Sequence, residues 1–324
     1  MNNGVLVISL DFELLWGIFD KVSYEEKIDY FTETRKVIPK ILHLFQQFNI
    51  HCTWATVGML FNENWDEWSE NIPEVVPNYQ NMNFSAYNYG KKIRSKVTEP
   101  LCFAPDLIKM IAQAPGQEIG THTYSHYYCL EPGQDLPAFK ADLQTSIKLA
   151  KKFDIELESL VFPRNQINLD YLEICSLDGI NNVRSNPTVW YWENTQTDSL
   201  AQKIFRTGDA YLGKKDKTYQ PSEVSLLDKQ LTSQKASRLL RPFSDKRVLN
   251  YLKMKRILGE ITHAAEKNEI YHLWWHPHNF GVNPVNNLKD LEIILGHFDN
   301  CRRTKGMQSL NMAEVGSKAL KKIG

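Results

Sequence analysis

The chain has 324 residues, of which 42% are hydrophobic and 11% aromatic, and it carries 38 basic and 38 acidic side chains. This amount of apolar material can build one barrel-sized core or two smaller ones, and the balanced charge creates no overall field that favours nucleic acid. The five cysteines form no CxxC pair, and no apolar run approaches the ~20 residues of a membrane-spanning helix. The apolar run 5–10 stops at Asp11, which is too early for a signal peptide. We therefore expect a cytoplasmic protein with no disulfide framework, no membrane span and no nucleic-acid partner.

Short apolar runs alternate with amphipathic segments along most of the chain. Hydrophobic patterning predicts strands at 5–10, 50–57, 118–120, 160–162, 181–184, 270–275 and 306–312. It predicts helices at 32–48, 105–114, 138–153, 169–177, 248–268 and 288–298. Strands that alternate with helices favour a parallel sheet or barrel, and no linker divides the chain, so a single domain over residues 1–324 is predicted.

Two segments interrupt this alternation. Residues 62–100 are rich in aromatic and acidic side chains, and two interpretations are equally favoured: a lid or binding insertion, and a surface excursion with its own aromatic cluster. Residues 186–224 form a second irregular segment, which carries Trp190 and Trp192. These two tryptophans are candidates for stacking on a sugar, and ordinary packing is the alternative.

Side chains that can act as metal ligands, acids or bases follow four of the predicted strands. They are Asp11 with Glu13, His122 with His126, Arg164, and His276 with His278. Active sites of α/β folds lie at the C-terminal ends of the strands, so these groups are expected to converge. Two imidazoles and one carboxylate make a three-ligand metal site with open positions for water. A second carboxylate as general base and a facing histidine as general acid would complete a site suited to amide or ester hydrolysis.

These motifs resemble the polysaccharide deacetylase family, also called the NodB-homology or carbohydrate esterase family 4 group. His122-Thr-Tyr-Ser-His126 matches its H-[S/T]-x-x-H signature, and Leu10-Asp11, Pro163-Arg164 and Trp274-Trp275-His276 occur in the family's order. The resemblance covers about Val5 to Met312 outside the two insertions. It implies a distorted (β/α)7 barrel, a divalent metal that is often zinc, and hydrolysis of an N-acyl group, usually N-acetyl on an amino sugar.

The resemblance also implies roles for individual residues. Asp11 would be the general base, His122 and His126 metal ligands, and His276 the general acid, while Arg164 would hold the carboxylate of the base.

The chain departs from the family pattern at the first motif. Asp11-Phe12-Glu13 replaces two adjacent aspartates, and strand alternation returns Glu13 to the face of Asp11. Glu13 is therefore predicted as the third metal ligand, and the reverse assignment of Asp11 and Glu13 stays open. The Arg164 motif also differs from the family's Arg-Pro-Pro pattern, and the family's Asp-rich fourth motif has no match near 182–192. His278 is predicted to be a loop or substrate contact.

The stretch 229–256 contains nine basic residues and one acid. It is interpreted as a solvated helix face, with a second hypothesis that it meets the phosphate of a nucleotide sugar or a lipid-linked sugar. The expected function is deacylation of an amino-sugar or sugar-nucleotide precursor of a surface polysaccharide. Two alternatives stay open: hydrolysis of a small non-sugar amide such as a ureide or formamide, and a metal-free, inactive sugar-binding homologue. The oligomeric state is not indicated.

Overall fold

The computed structural model describes residues 1–193, 195, 199–212, 217–227 and 231–321. Its strands are β1 Val5–Phe12, β2 Cys52–Thr56, β3 Gln117–Thr121, β4 Ser159–Leu160, β5 Asn182–Ser185, β6 Ser225–Leu226, β7 Thr232–Lys235, β8 Arg238–Leu239, β9 Ile270–Trp275 and β10 Gln308–Leu310. Its helices are α1 Ile28–Gln47, α2 Trp65–Glu70, α3 Ala86–Ile93, α4 Glu99–Cys102, α5 Pro105–Gln113, α6 Leu136–Lys151, α7 Leu172–Leu177, α8 Trp190–Glu193, α9 Leu200–Leu212, α10 Arg247–Lys267, α11 Pro284–Lys305 and α12 Met312–Leu320. None of the helices in these ranges combines the length and the apolar character needed to cross a bilayer.

The sheet curls into a distorted barrel that closes through residues 236–237. Strand β7 pairs with β5, and the next strand, β8, pairs with β9. Between them the amide of Ala236 donates to the carbonyl of Ser185, and the amide of Ser237 donates to the carbonyl of His272, each at 2.8 Å. Strands β7 and β8 therefore occupy one strand position of the barrel. The closed ring has the order β1-β2-β3-β4-β5-β7/β8-β9, and every pairing in it is parallel. This confirms the predicted α/β barrel.

Strand β1 shows how the sequence sorts its side chains between the two faces of the barrel wall. Its even positions, Leu6 to Phe12, are fully buried in the large core beneath the surrounding helices. Its odd positions face the lumen, because successive side chains of a strand alternate between faces. Val5 and Val7 lie in a separate apolar cluster with Ile270 of β9, whereas Asp11 is buried among ionisable groups. Along β1 the lumen side is therefore apolar at the N-terminal end and ionisable at the C-terminal end.

The C-terminal residues of the chain close the apolar end of the lumen. Strand β10 pairs with the first half of β1, and α12 packs against β2, β5 and β7. Asn311 caps α12 in a reciprocal arrangement with Glu314, which is why the predicted strand 306–312 ends early and a helix begins at Met312. The buried side chains of Met312 and Val315 complete the apolar cluster.

The insertion 62–100 is a packed part of the body. It folds into α2, α3 and α4, and it buries Trp65 and Trp68 against Trp16. Trp16 also donates its indole N–H to the carbonyl of Cys102 at 2.7 Å. Of the two interpretations, the structure agrees with an aromatic cluster, and that cluster supports the turn that follows β1.

Several elements of the structure were not predicted, and α8, α9 and β7 are among them. The segment 186–224 contains α8 and α9 in its described part, whereas residues 194, 196–198 and 213–216 of that insertion lie outside the described residues. Strand β7 reads Thr-Ser-Gln-Lys, and its inward-facing Thr232 and Gln234 hydrogen-bond to Asn182 of the neighbouring strand β5. A strand that lines a polar lumen lacks the apolar run by which strands are recognised.

The interpretation of the basic stretch 229–256 as a solvated face or a phosphate contact is wrong for two of its residues. Arg238 is 2% exposed and binds Glu260 at 2.7 Å, and the buried Lys253 pairs with Asp290 at 2.9 Å. These two cations are structural, because a buried charge requires a partner. They are therefore neither part of a solvated face nor available to a phosphate. Lys229 lies outside the described residues.

Candidate active site

Five of the predicted residues come together at the ionisable end of the barrel. Nε2 of His126 lies 3.7 Å from one Glu13 oxygen, and Nε2 of His122 lies 4.0 Å from the other. His276 approaches from β9, with Nε2 at 3.1 Å from Glu13 and 3.7 Å from Asp11. Asp11, Glu13, His122 and His126 are at most 3% exposed, and the His276 side chain is 27% exposed. The cluster is therefore buried, and it reaches solvent at His276.

The turn after β3 aims both histidines at Glu13. Thr123 and His126 have positive φ angles of 63° and 56°, a left-handed backbone that L-residues adopt only when their surroundings impose it. The buried Asp142 of α6 imposes it here, since its carboxylate accepts the amides of Tyr124 at 2.6 Å and Ser125 at 3.1 Å. Burial raises the pKa of Asp142 to about 6, against the opposing effect of these donors.

His122 has a defined tautomer. Its Nδ1 lies 2.7 Å from the carbonyl oxygen of Val161 and therefore carries the proton, which leaves the Nε2 lone pair directed at Glu13. Burial lowers the pKa of His122 and places that of His126 well below its usual value. Two neutral imidazoles with free lone pairs are the form in which histidine binds metals.

Glu13 sits on a sharp turn between β1 and the Trp16 cluster. Leu14 has a positive φ of 45°, and Gly17 faces the Glu13 carboxylate so closely that a Cβ at this glycine would lie 1.3 Å from Oε2. The Oε2 atom is buried and has no hydrogen-bond partner. Burial would raise the pKa of Glu13, but His276 and His126 outweigh burial and hold it well below its usual range. The carboxylate is thus ionised, with one oxygen left for a cation.

Asp11 is held by an arginine that the sequence did not reveal. Arg184, on β5, donates from both terminal nitrogens to the two oxygens of Asp11, at 2.7 and 2.8 Å. Burial alone would raise the pKa of Asp11, and Arg184 together with His122 and His276 brings it below its usual value. The only signal in the sequence was a lone arginine alternating with Asn182 at the end of a short strand.

A buried chain of polar groups continues behind Arg184. Ser9 Oγ accepts a hydrogen bond from Arg184 at 3.0 Å, and the same hydroxyl lies 2.8 Å from Nε2 of the buried His272. Burial lowers the pKa of His272 to about 3, so its neutral ring accepts the Ser9 proton. Ser9 thereby fixes one branch of the guanidinium that grips Asp11.

The predicted role of Arg164 is wrong in this structure. Its guanidinium pairs with Asp20 and lies over the ring of Tyr128 at 4.1 Å, while both oxygens of Asp11 are bound by Arg184. Arg164 has a left-handed φ of 54°, which directs its side chain across the rim toward Asp20. It therefore borders the site and does not hold the base.

The three predicted substrate contacts lie at different depths. His278 is 5% exposed and stacks on His276 with ring centroids 5.1 Å apart, so it is a buried neighbour of the acid candidate. Trp192 makes an edge contact with Trp274, whose ring lies 4.3 Å beneath the Arg184 guanidinium. Trp190 is half exposed and contacts Phe205 of α9, on the outer side of the insertion.

The residues present fit a divalent cation. Ligand atoms of Glu13, His122 and His126 lie within 4.8 Å of one another. A tetrahedral ion about 2.0–2.2 Å from each donor has this kind of spacing. A buried carboxylate oxygen without a partner, flanked by two neutral imidazoles, is costly unless a positive charge joins it. This donor set, two imidazoles and one carboxylate, has the composition of a catalytic zinc site with three protein ligands.

Comparison with known proteins gives a consistent picture. Residues 16–183, slightly more than half of the chain, match the family described as polysaccharide deacetylase. No curated protein matches the sequence. Among solved structures, a Mycobacterium smegmatis protein described as a polysaccharide deacetylase aligns with a TM-score of 0.60 at 13% identity, over 100% of this chain and 92% of its own. A Pseudomonas aeruginosa PAO1 protein of the same description gives 0.57 at 8% identity, over 98% and 91%. Puue allantoinase gives 0.57 at 10% identity, over 98% and 90%. At these identities the structural matches establish the fold.

Proposed function

Because the chain belongs to the polysaccharide deacetylase family, we propose that it is a metal-dependent hydrolase that removes an N-acyl group, most simply N-acetyl, from an amino sugar. The observation that carries this proposal is the meeting of two neutral imidazoles and an ionised, unpartnered carboxylate beside a second carboxylate clamped by arginine. A site that only binds a neutral sugar has no need to bury two adjacent carboxylates.

In this proposal Glu13, His122 and His126 hold the cation, which is probed first as Zn²⁺ because nitrogen and carboxylate donors suit zinc. When bound, the cation would bring the pKa of a coordinated water toward about 7 and neutralise negative charge that develops on the acyl oxygen. The proton transfers of the proposed reaction are carried out by side chains of the protein.

Asp11 is the proposed general base. Its lowered pKa keeps it ionised at neutral pH, and the bidentate contact with Arg184 fixes its orientation while each oxygen keeps a lone pair for the proton of the attacking water. The reverse assignment, with Asp11 as ligand and Glu13 as base, is less favoured because Arg184 occupies Asp11 whereas Glu13 faces the histidines.

His276 is the proposed general acid. Burial alone would lower its pKa, but Glu13 and Asp11 outweigh burial and raise it above the ordinary 6.5, which favours the protonated ring. A protonated imidazole at the solvent-facing side of the cluster can give its proton to the departing amine. Glu13 and Asp11 supply the negative charge that favours the protonated ring.

Aromatic side chains at the rim suit a sugar. We propose that Trp192 and Trp274, beside Arg184, contact the sugar ring, and that His278 shapes the wall behind His276. Trp190 is further out and would meet only a longer substrate. A cytoplasmic role on a nucleotide-linked or other activated precursor of a surface polysaccharide remains part of the proposal.

Two measurements on the purified chain test the function. Elemental analysis gives the metal content, and acetate or formate release is assayed on N-acetylated and N-formylated amino sugars, nucleotide amino sugars and a cyclic ureide. We expect one equivalent of a divalent metal and acetate release from an amino sugar. Exclusive turnover of the ureide would instead assign a small non-sugar amide. A chain that neither takes up metal nor releases any acid would be an inactive sugar-binding homologue.

A further inference from the structure

Helix α9 is amphipathic, but its apolar side faces solvent. Four of its apolar side chains and the adjoining tryptophan of α8 are each more than half exposed: Trp190, Leu200, Ile204, Phe205 and Leu212. They are referred to below as the α9 face. A globular protein normally turns such a stripe toward its core, and a contiguous exposed one marks an interaction surface.

The opposite, polar side of α9 is anchored in the body. Asp209 is 6% exposed, accepts the Tyr191 hydroxyl at 2.6 Å and pairs with the buried Lys217. The backbone carbonyl of Asp209 also accepts a hydrogen bond from Arg238. Rolling the helix to bury its apolar side would leave these buried charges without partners, which is strongly unfavourable. The outward orientation is therefore built into the packing.

Basic side chains border the α9 face. Lys203 is exposed on α9 itself, and Lys255 and Arg256 of α10 line a cleft of about 520 Å³ together with Leu212. Glu266 is the exposed acid of this cleft, since Glu260 is taken up by Arg238. Because the whole chain has a formal net charge of zero, this basic border is a local feature.

The combination of exposed apolar side chains and a basic border favours one occupant. A symmetric dimer through this face would bring the basic borders of the two copies close together without an acidic patch to offset them, which is unfavourable. An anionic lipid surface would instead accept the apolar side chains and neutralise the basic ones. We propose that the α9 face docks the protein on an anionic membrane surface.

The docking face adjoins the rim of the barrel. Trp190 and Trp192 lie on the same short helix, α8, and Trp192 contacts Trp274 beside Arg184. Arg206 of α9 lies 5.2 Å from the ring centre of Trp192 and links the two sides. Docking would thus place the open end of the barrel near the lipid surface. The docking proposal stands independently of the proposed deacylase activity.

Vesicle co-sedimentation of the full chain tests the proposal. We expect binding to vesicles of equal parts phosphatidylcholine and phosphatidylglycerol, weaker binding to phosphatidylcholine alone, and loss of the difference at high salt. Ile204→Glu and Phe205→Glu should each weaken binding by about tenfold or more, since each removes a buried apolar contact with lipid. Lys203→Glu should weaken binding to the anionic vesicles only.

Leu177→Glu is the matched control, because this leucine of α7 is 74% exposed and Leu212 of the α9 face is 75% exposed. Leu212→Glu should reduce vesicle binding, Leu177→Glu should not, and both should unfold at the wild-type temperature. Equal binding to neutral and anionic vesicles, or binding insensitive to the α9-face substitutions, would overturn the proposal. So would a solution dimer that Phe205→Glu dissociates, which would assign the face to a second copy of the chain.

Discussion

The two ends of the barrel lumen are built from the same strands but serve opposite purposes. At the N-terminal end, Val5, Val7 and Ile270 pack with Met312 and Val315 of the closing helix in a buried apolar cluster. At the C-terminal end, continuing the same inward positions of β1 and β9 leads to Asp11 and His276, where polar atoms are buried without partners nearby. The first end stabilises the fold, and the second holds charges that the fold must support.

The two ends of the lumen also differ in the backbone strain of the residues that flank the strands. Left-handed φ angles at Leu14, Thr123, His126 and Arg164 fall at the C-terminal end, whereas the left-handed residues that precede β2, β4 and β9 are Asn49, Asp154 and Asn268. Asn and Asp adopt this conformation at lower cost than the other residue types. Strained residues of this kind cost about 1–3 kcal/mol each and persist only where neighbouring structure enforces them. Asp142 of α6 and the Trp16 cluster provide that support, so helix α6 and the insertion 62–100 stabilise the strained turns of the site.

Removal of a proposed metal ligand should have the largest effect. His126→Ala is expected to lose bound metal and to lower the rate of acyl release by roughly a thousandfold. Elemental analysis and the release assay measure the two effects on one sample. The exposed His43→Ala is the control and should change neither quantity. Full activity in a metal-depleted His126→Ala protein would remove the basis of the mechanism.

The substitution Asp11→Asn distinguishes between Asp11 as general base and Asp11 as metal ligand. We expect it to retain metal and to lower kcat by about 10²–10⁴-fold, because the amide cannot take up the proton of water. Loss of metal from Asp11→Asn would make Asp11 a ligand and Glu13 the base.

Two arginine substitutions sharpen the same assignment. Arg184→Lys should lower kcat by about 10–100-fold, since lysine cannot make the bidentate contact with Asp11. Arg164→Lys should have a smaller effect, because that arginine pairs with Asp20. The reverse order in steady-state kinetics would restore the role that the family resemblance assigns to Arg164.

The apolar end should respond in stability and not in catalysis. Met312→Ala removes a fully buried side chain and should lower the free energy of unfolding by about 2–4 kcal/mol, as measured by denaturant titration. Acyl release per folded molecule should be unchanged at temperatures where the variant is folded. A change in kcat comparable with that of Arg184→Lys would show that the two ends are coupled.

The smallest effect concerns the ion pair between His51, before β2, and Glu314 of α12, at 2.8 Å. The hydrogen bond to Glu314 raises the pKa of His51 above its ordinary 6.5, and His51 lowers the pKa of Glu314 below its ordinary 4.5 despite burial. The pair therefore stabilises the fold most at pH values between the ordinary pKa of glutamate, 4.5, and that of histidine, 6.5. Its contribution is lost as pH rises through the pKa of His51 and as pH falls through that of Glu314.

His51→Gln tests this dependence. The difference in free energy of unfolding between wild type and variant should be larger near pH ~5.5 than near pH ~8.5. The control is His43→Gln on the exposed side of α1. A difference that does not vary with pH would mean that the contact contributes no charge interaction.

The sequence by itself determined the alternation of strands and helices, the family and the meeting of Asp11, Glu13, His122, His126 and His276. Each of these depends on local patterns: apolar runs that end in ionisable side chains, and a histidine pair at fixed spacing. Because parallel strands all end at one side of a barrel, a motif that follows each strand is enough to bring such residues together.

Tertiary structure alone decided which arginine holds Asp11, that β7 and β8 close the barrel, and that α9 faces outward. Arg184 lies within β5 and Arg164 in the turn after β4, and the contacts of their side chains, with Asp11 and with Asp20, separate their roles. Strand β7 is polar because it faces a polar lumen, and the orientation of α9 depends on Asp209 and its buried partners. Such choices depend on contacts between residues distant in sequence, which local patterns do not encode.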